Sequence, residues 1–310
     1  MPIKSASPLF STTNGCDMGD PMEKTKYVSV HGGHSGEFCD HAQDDLEDII
    51  EQYIKMEFEW VGITEHVPPP TDAQRYPDEI EKGTTASFIQ ERFARYMAHC
   101  RHLQAKYKKK LTLFVGFETE TWNGCLPYIQ GLVQQFRPDY IVGSVHHVDD
   151  ICIDYSAELY HGAARAVGGM DALYCRYFDQ QHEMLLTLKP AVVGHFDLIR
   201  IFDTAYEERL KKPEIWQRIT RNLACIKTLD TALDFNLRAL KKGAVEPYVS
   251  KAILHQAVHI GIRIIPGDDS HGVADIGKYM DVAMEQLKMA GITTPNWLPP
   301  RLYNSGENAP

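Results

Sequence analysis

The 310-residue sequence has no long apolar run, no closely spaced cysteine pair and no excess of basic residues. No stretch approaches the roughly 18 apolar residues of a membrane-spanning helix, so we expect no membrane partner. The seven cysteines are an odd number without a CxxC pair, which argues against a disulfide framework and favours a reducing, cytoplasmic location. A formal net charge of −10 disfavours binding to nucleic acids but leaves room for a small anionic substrate.

The chain also lacks the sequence features of targeting segments and of common nucleotide-binding loops. Residues 1–26 contain no arginine and no apolar signal-peptide core, and we interpret them as a disordered tail. We expect one domain over residues 27–295 and a loose C-terminal tail over residues 296–310. No GxGxxG or GxxxxGK[ST] motif follows the first predicted strand, which weakens a dinucleotide- or nucleotide-binding interpretation.

Short apolar segments alternate with longer amphipathic segments throughout this domain. The segment WVGIT at residues 60–64 is apolar throughout, as expected for a strand buried on both faces. Strands are predicted at residues 27–30, 60–64, 111–117, 140–145, 191–194, 232–235 and 262–266, and residues 66–83 are predicted to form a loop. Seven successive βα units predict a parallel sheet, either closed as a barrel or open.

Histidine and carboxylate residues follow almost every predicted strand. In parallel βα barrels the C-terminal ends of the strands meet at one mouth, where active sites are built. Imidazole together with carboxylate suits zinc, manganese or iron, and the absence of clustered cysteines argues against a structural thiolate site. The number of candidate ligands exceeds what one ion can use. The sequence therefore predicts a centre of two or three metal ions that serves hydrolysis.

Six motifs occur in a fixed order along the chain: GHSGEFCDHA, ITEH, VGFETE, GSVHH, VVGHFD and GDDSHG. In this order they resemble the PHP (polymerase and histidinol phosphatase) superfamily, in the fungal form of its histidinol-phosphatase branch. The resemblance implies an α/β fold, a distorted (β/α)7 TIM-like barrel with a metal site at the C-terminal ends of the strands. It also implies three divalent transition-metal ions (Zn, Mn or Fe) and hydrolysis of L-histidinol phosphate in histidine biosynthesis, by attack of a metal-bound hydroxide.

The resemblance assigns roles to individual residues. The implied metal ligands are His34, His41, His66, Glu118, His146, His195, Asp269 and His271. Among them Glu118, which would bridge two ions, Asp269 and His271 are also expected to be catalytic. Arg200 and Arg238 are candidates for binding the phosphate. Glu120 and His147 are candidates for contacting the rest of the substrate, and we interpret Asp197 as a carboxylate that orients a ligand histidine.

The first motif departs from the family pattern, which is HxH. Gly32 stands two residues before His34, where a histidine is expected, and His31 stands three residues before it. In a regular strand that spacing points His31 to the opposite face, whereas a bulge at Gly32-Gly33 would turn it back as a ninth ligand. Two alternatives to a histidinol-phosphatase therefore stay open: a PHP phosphoesterase acting on another small phosphomonoester, and a non-catalytic paralogue that has lost a ligand. The oligomeric state does not follow from the sequence.

Overall fold

Seven parallel strands form a sheet that curls into a nearly closed barrel. The computed structural model describes residues 27–292, 297 and 299–303, so the predicted N-terminal tail at residues 1–26 lies outside the described residues. The barrel strands are β1 (Val28–Gly32), β2 (Trp60–His66), β3 (Thr112–Glu118), β4 (Tyr140–Gly143), β7 (Val192–Val193), β8 (Ala232–Asn236) and β9 (Ile264–Gly267). They are neighbours in this same order. Asp269 N donates to His31 O over 2.8 Å and ties the end of β9 to the end of β1.

Helices follow the strands and cover the outside of the barrel. They are α1 (Leu46–Lys55), α2 (Pro77–Glu81), α3 (Ala86–Tyr107), α4 (Cys125–Phe136), α5 (Ala157–Ala166), α6 (Met170–Leu188), α7 (Tyr206–Leu210), α8 (Pro213–Leu229), α9 (Arg238–Lys241), α10 (Lys251–His259) and α11 (Met280–Met289). In α1 the apolar residues recur at helical period, and Leu46, Ile49, Ile50 and Tyr53 are buried. The predicted (β/α)7 architecture is therefore confirmed.

Side chains from facing strands meet inside the barrel. Tyr140 on β4 reaches across the interior, and its hydroxyl donates to Val30 O over 2.6 Å. Gly62 on β2 is needed for this contact, because a Cβ at that position would lie 1.6 Å from the Tyr140 hydroxyl oxygen. Tyr140 thus closes the interior at this level, and the predicted site residues follow the C-terminal ends of the strands.

Strand β1 contains an irregularity in the segment for which the sequence left two alternatives open. Ser29 pairs with Val61 and Gly32 pairs with Ile63, so three steps on β1 match two steps on β2. This extra residue is a bulge in the strand, and it lies between Ser29 and Gly32, just before the Gly32-Gly33 position considered from the sequence. Gly33 then takes a positive φ of 77°. The extra residue changes the face of the strand on which the following side chains lie, and this determines the direction of His31.

Three parts of the chain differ from the sequence-based prediction. Residues 66–83, predicted as a loop, contain helix α2 and a short 3₁₀ turn at Asp72–Gln74. An antiparallel hairpin of β5 (His147–Val148) and β6 (Ile151–Cys152), which the pattern did not indicate, follows β4. The C-terminal segment is not loose where it is described, because Trp297 O accepts a hydrogen bond from the indole of Trp60. Within the described residues, no helix combines the length and the apolarity that crossing a membrane requires.

Candidate metal centre

Glu118, the last residue of β3, lies at the centre of the barrel mouth. Its Oε1 is 3.0 Å from His146 Nε2 and 2.8 Å from His195 Nε2. Its Oε2 is 3.3 Å from His31 Nε2 and 3.2 Å from His66 Nδ1. Four imidazoles from four different strand ends thus converge on one buried carboxylate at the mouth of the barrel.

A second carboxylate, Asp269, organises the other side of the mouth. Its Oδ1 lies 3.5 Å from His34 Nε2 and 3.5 Å from His271 Nδ1, while its Oδ2 accepts a hydrogen bond from Asn236 Nδ2. Asp269 has a positive φ of 44°, an unfavourable backbone conformation for a residue with a side chain. Such strain is typical of functional sites, where the surrounding structure holds a side chain in a required position.

His31 points into this cluster, so the structure favours the bulge over a lost ligand. Its imidazole is fully buried between Glu118 and Asp234, and its ring centroid is 5.9 Å from that of His34. Gly32 faces the opposite side, where a Cβ would lie 2.5 Å from Tyr53 Oη and 2.6 Å from Asp268 Oδ1. A histidine at position 32 would therefore not reach the cluster.

Three further carboxylates fix the orientation of the cluster histidines from behind. His31 Nδ1 lies 2.9 Å from Asp234, His34 Nδ1 lies 2.8 Å from Glu65, and His146 Nδ1 lies 3.0 Å from Asp154. With the proton on Nδ1, each imidazole donates a hydrogen bond to its carboxylate, and its Nε2 lone pair is directed at the cluster. A carboxylate behind a histidine is the usual arrangement around protein metal sites.

The donor set fits divalent transition metals. All nine sequence-predicted ligands occur in five overlapping groups of three or four side chains, with ligand atoms within 4.8 Å of one another in each group. Cys39 and Glu65 also belong to one of these groups. The Nε2 atoms of His31 and His34 and the Nδ1 atom of His66 are buried without a hydrogen-bond partner. Buried nitrogens without a partner are costly, and a cation in the cluster would satisfy them.

The imidazoles and carboxylates of the cluster shift the pKa values of one another. Burial alone would lower the pKa of His66, but the carboxylates of Glu118 and Glu120 raise it to about 9. For Glu118 burial would raise the pKa, yet the imidazoles of His31, His146 and His66 hold it well below its usual range. The carboxylates therefore keep a negative charge that attracts cations. Because metal binding needs neutral imidazoles, divalent ions would take the place of these protons.

A cavity of about 230 Å³, named here the main cavity, opens above the cluster. Tyr76, Asp154, Lys242 and Tyr248 contribute to its wall, and so does Arg238, one of the two phosphate candidates. Arg238 also pairs with Asp275 at 3.2 Å. The main cavity thus joins the cation-binding cluster to two basic side chains, a combination suited to a phosphate ester.

Arg200 does not line the main cavity. Its guanidinium donates to Asp197 and to the carbonyls of Glu246 and Pro247, and it stacks on the ring of Tyr248. The interpretation of Asp197 is wrong for the same reason, since this carboxylate contacts Arg200 and Ser250 N rather than a histidine. Together these residues hold the loop that presents Tyr248 to the main cavity.

Glu120 and His147, the other substrate candidates, lie beside the cluster rather than over it. His147 Nδ1 and Glu120 Oε2 are 3.3 Å apart, and Glu120 Oε1 is 3.3 Å from His66 Nδ1. Both side chains line a second, smaller cavity that shares His41, His66 and Tyr76 with the main one. His41 is the most exposed of the predicted ligands, and its Nε2 is 3.3 Å from His66 Nε2.

A family model and several known proteins match this sequence. The PHP domain family model matches residues 32–238. A probable histidinol-phosphatase of Schizosaccharomyces pombe is 34% identical over 271 residues, covering 86% of this chain and 88% of the relative. The histidinol-phosphatase of Saccharomyces cerevisiae is 28% identical over 285 residues, covering 81% of this chain and 85% of the relative.

Solved structures agree with the barrel. A protein of Listeria monocytogenes, provisionally assigned as a histidinol phosphatase, superposes with a TM-score of 0.72 at 28% identity, over 82% of this chain and 99% of that one. The histidinol phosphate phosphatase of Lactococcus lactis was solved with zinc, L-histidinol and phosphate. It gives a TM-score of 0.64 at 18% identity, over 86% of this chain and 95% of that one. At that identity the second likeness concerns the fold alone.

Proposed function

Because the chain belongs to the PHP domain family, we propose that it is a metal-dependent histidinol-phosphatase, which hydrolyses L-histidinol phosphate to L-histidinol and phosphate. The observation that carries this proposal is the convergence of four imidazoles on Glu118 beneath a cavity with basic side chains. The similarity to fungal histidinol-phosphatases over more than four fifths of the chain supports the choice of substrate.

We assign the metal ligands as His31, His34, His41, His66, Glu118, His146, His195, Asp269 and His271. The overlap of the ligand groups supports more than one ion per chain, and we propose three, because His31, His34, His66 and Glu118 each belong to at least two groups. The nitrogen and oxygen donors suit zinc, manganese or iron. When bound, such ions lower the pKa of a water molecule and hold phosphate oxygens.

The residues of the chain itself position the ester. Arg238 and Lys242 both line the main cavity, where their charges would hold the phosphate oxygens that point away from the cluster. Asp275, which pairs with Arg238, fixes the direction of its guanidinium. Asp234, Glu65 and Asp154 keep the imidazoles oriented, so little reorganisation is needed when the substrate binds.

The position of His31 weighs against a non-catalytic paralogue, since Gly32 was the feature that favoured that alternative. A phosphoesterase with another small substrate differs from our proposal only in the groups that contact the organic part. The six cysteines in the described part of the chain are free, which accords with the proposed cytoplasmic location.

A panel of phosphomonoesters tests the proposal. We expect L-histidinol phosphate to have the highest kcat/KM, and phosphate release to stop after chelation with EDTA and return with divalent metal. Asp269→Ala should remove the activity, because it deletes a carboxylate shared by two histidines. A higher kcat/KM for another ester would favour the other phosphoesterase, and metal-free, inactive protein after metal resupply would contradict both.

A further inference from the structure

The second cavity contains a buried carboxylate without a permanent cationic partner. This cavity, named here the inner pocket, is lined by Glu120, His147, Trp122 and Tyr76, among others. Glu120 and His147 are only 2% and 6% exposed. Glu120 Oε2 and His147 Nδ1 face each other but form no hydrogen bond. In the described residues, the partners of Glu120 are the Tyr76 hydroxyl and two imidazoles. Arg92 also lines the inner pocket, but its guanidinium pairs with Asp40.

We propose that Glu120 binds the ammonium group of the substrate and thereby makes the enzyme selective for phosphate esters of amino alcohols. This inference rests on the proposed function and extends it to the organic part of the substrate. A carboxylate removed from water is costly unless a cation pairs with it. A substrate ammonium would supply that cation in every catalytic cycle.

The position of Glu120 matches the length of the substrate. His66 Nδ1 lies 3.2 Å from Glu118 Oε2 and 3.3 Å from Glu120 Oε1, so Glu120 approaches the edge of the cluster at the same nitrogen atom as Glu118. In histidinol phosphate only two carbon atoms separate the ester oxygen from the amine. An ester held at the cluster therefore has its ammonium within reach of Glu120.

The sizes of the two cavities determine which part of the substrate can enter each of them. The inner pocket measures about 30 Å³, enough for a water-sized group such as an ammonium but not for an imidazole ring. The main cavity, at about 230 Å³, has room for the phosphate and the ring. Tyr76 lines both cavities, and its hydroxyl donates to Glu120 Oε1 over 2.8 Å, which orients the carboxylate.

A structural role for Glu120 makes a different prediction. If Glu120 only orients His66, its replacement would weaken metal binding and slow all substrates alike. If it binds the ammonium, its replacement would reduce kcat/KM for an amine-bearing ester and leave an amine-free ester almost unaffected. The ratio of the two kcat/KM values separates these roles.

The experiment compares L-histidinol phosphate with its deaminated analogue, 3-(imidazol-4-yl)propyl phosphate, on the metal-loaded protein. We expect wild-type kcat/KM to favour the amine by about tenfold to a hundredfold, the range of a charged hydrogen bond. Glu120→Gln should bring this ratio close to one while the metal content stays unchanged. Calorimetric binding of L-histidinol, measured without turnover, should weaken by a similar factor.

Glu37→Gln serves as the control, because it removes a carboxylate that lines neither cavity and instead accepts a hydrogen bond from Leu46 N. It should keep the preference for the amine. Equal rates of the wild-type protein on both esters would overturn the inference and leave the proposed function standing, and this outcome needs no variant to fold. Failure of the wild-type protein to hydrolyse either ester would instead contradict the proposed function. An equal loss on both esters in Glu120→Gln, with loss of metal, would assign Glu120 to positioning His66.

Discussion

Substitution of Gly32 gives the sharpest test of how β1 presents its histidines. A Cβ at this position would lie 2.5 Å from Tyr53 Oη, 2.6 Å from Asp268 Oδ1 and 2.9 Å from Ser29 Oγ. These three groups are buried and joined by hydrogen bonds. Asp268 Oδ1 accepts one from Ser29 Oγ over 2.7 Å and one from Tyr53 Oη over 2.8 Å. Gly32→Ala must therefore displace at least one partner of a buried network.

Two costs follow from that displacement. Overpacking a filled core costs about 1–3 kcal/mol, and a buried polar group left without a partner costs about 1–3 kcal/mol more. We expect Gly32→Ala to lower the free energy of unfolding by about 2–6 kcal/mol, which for a chain of this length corresponds to a fall in Tm of roughly 3–9 °C. Gly32→His should be worse, and its metal content should fall rather than rise.

The assay is thermal unfolding followed by circular dichroism in EDTA, so that metal binding does not contribute to the measured stability. Gly131→Ala is the matched control, because position 131 lies within α4 with no atom within 4 Å of an added Cβ. That substitution should stabilise the protein by about 0.5–1 kcal/mol. Wild-type stability in Gly32→Ala, or a higher metal content in Gly32→His, would refute this account of β1.

Two further predictions concern the surroundings of the cluster. Asp154→Asn should weaken metal binding about 10–100-fold, as measured by competition with a chelator, because His146 loses the carboxylate that orients it. An unchanged metal affinity would mean that Asp154 does not orient His146 for metal binding. Arg238→Met should weaken the binding of inorganic phosphate to the metal-loaded protein, whereas Arg200→Met should lower stability by about 3–5 kcal/mol, because it leaves the buried Asp197 unpaired. The reverse pattern would place the phosphate near Arg200.

The barrel and the ligands at its mouth could be predicted because their signals are local in the sequence. Apolar strands alternating with amphipathic helices define the order of the elements, and a parallel barrel brings all strand ends to one mouth. His66, Glu118 and Asn236 each end a strand as the structure has it. Their convergence could therefore be predicted without knowledge of side-chain packing.

The supporting carboxylates could not be derived in the same way. Asp154 reaches His146 from the hairpin of β5 and β6, whose two-residue strands are too short to show any periodicity. Asp234 lies within the buried strand β8, where the sequence ALDFN offered one signal, a charged residue among apolar ones. A carboxylate in such a place needs a partner, and His31 is that partner.

Arg200 shows the limit of reasoning from spacing. It follows His195 by five residues, which suggests the mouth of the barrel, but the chain turns into a short 3₁₀ helix at Leu198–Arg200. The guanidinium then faces Asp197 and the loop of residues 246–247. The direction of a side chain after a strand depends on the loop conformation, which the sequence pattern does not specify.

The central claim is that the residues around Glu118 and Asp269 form a metal centre that hydrolyses histidinol phosphate. It is tested most directly by measuring metal content per chain and phosphate release on the same sample during metal titration of chelated protein. We predict that activity on L-histidinol phosphate rises with occupancy and levels off at three ions per chain. Full activity in the chelated protein, or full occupancy without phosphate release, would contradict the claim.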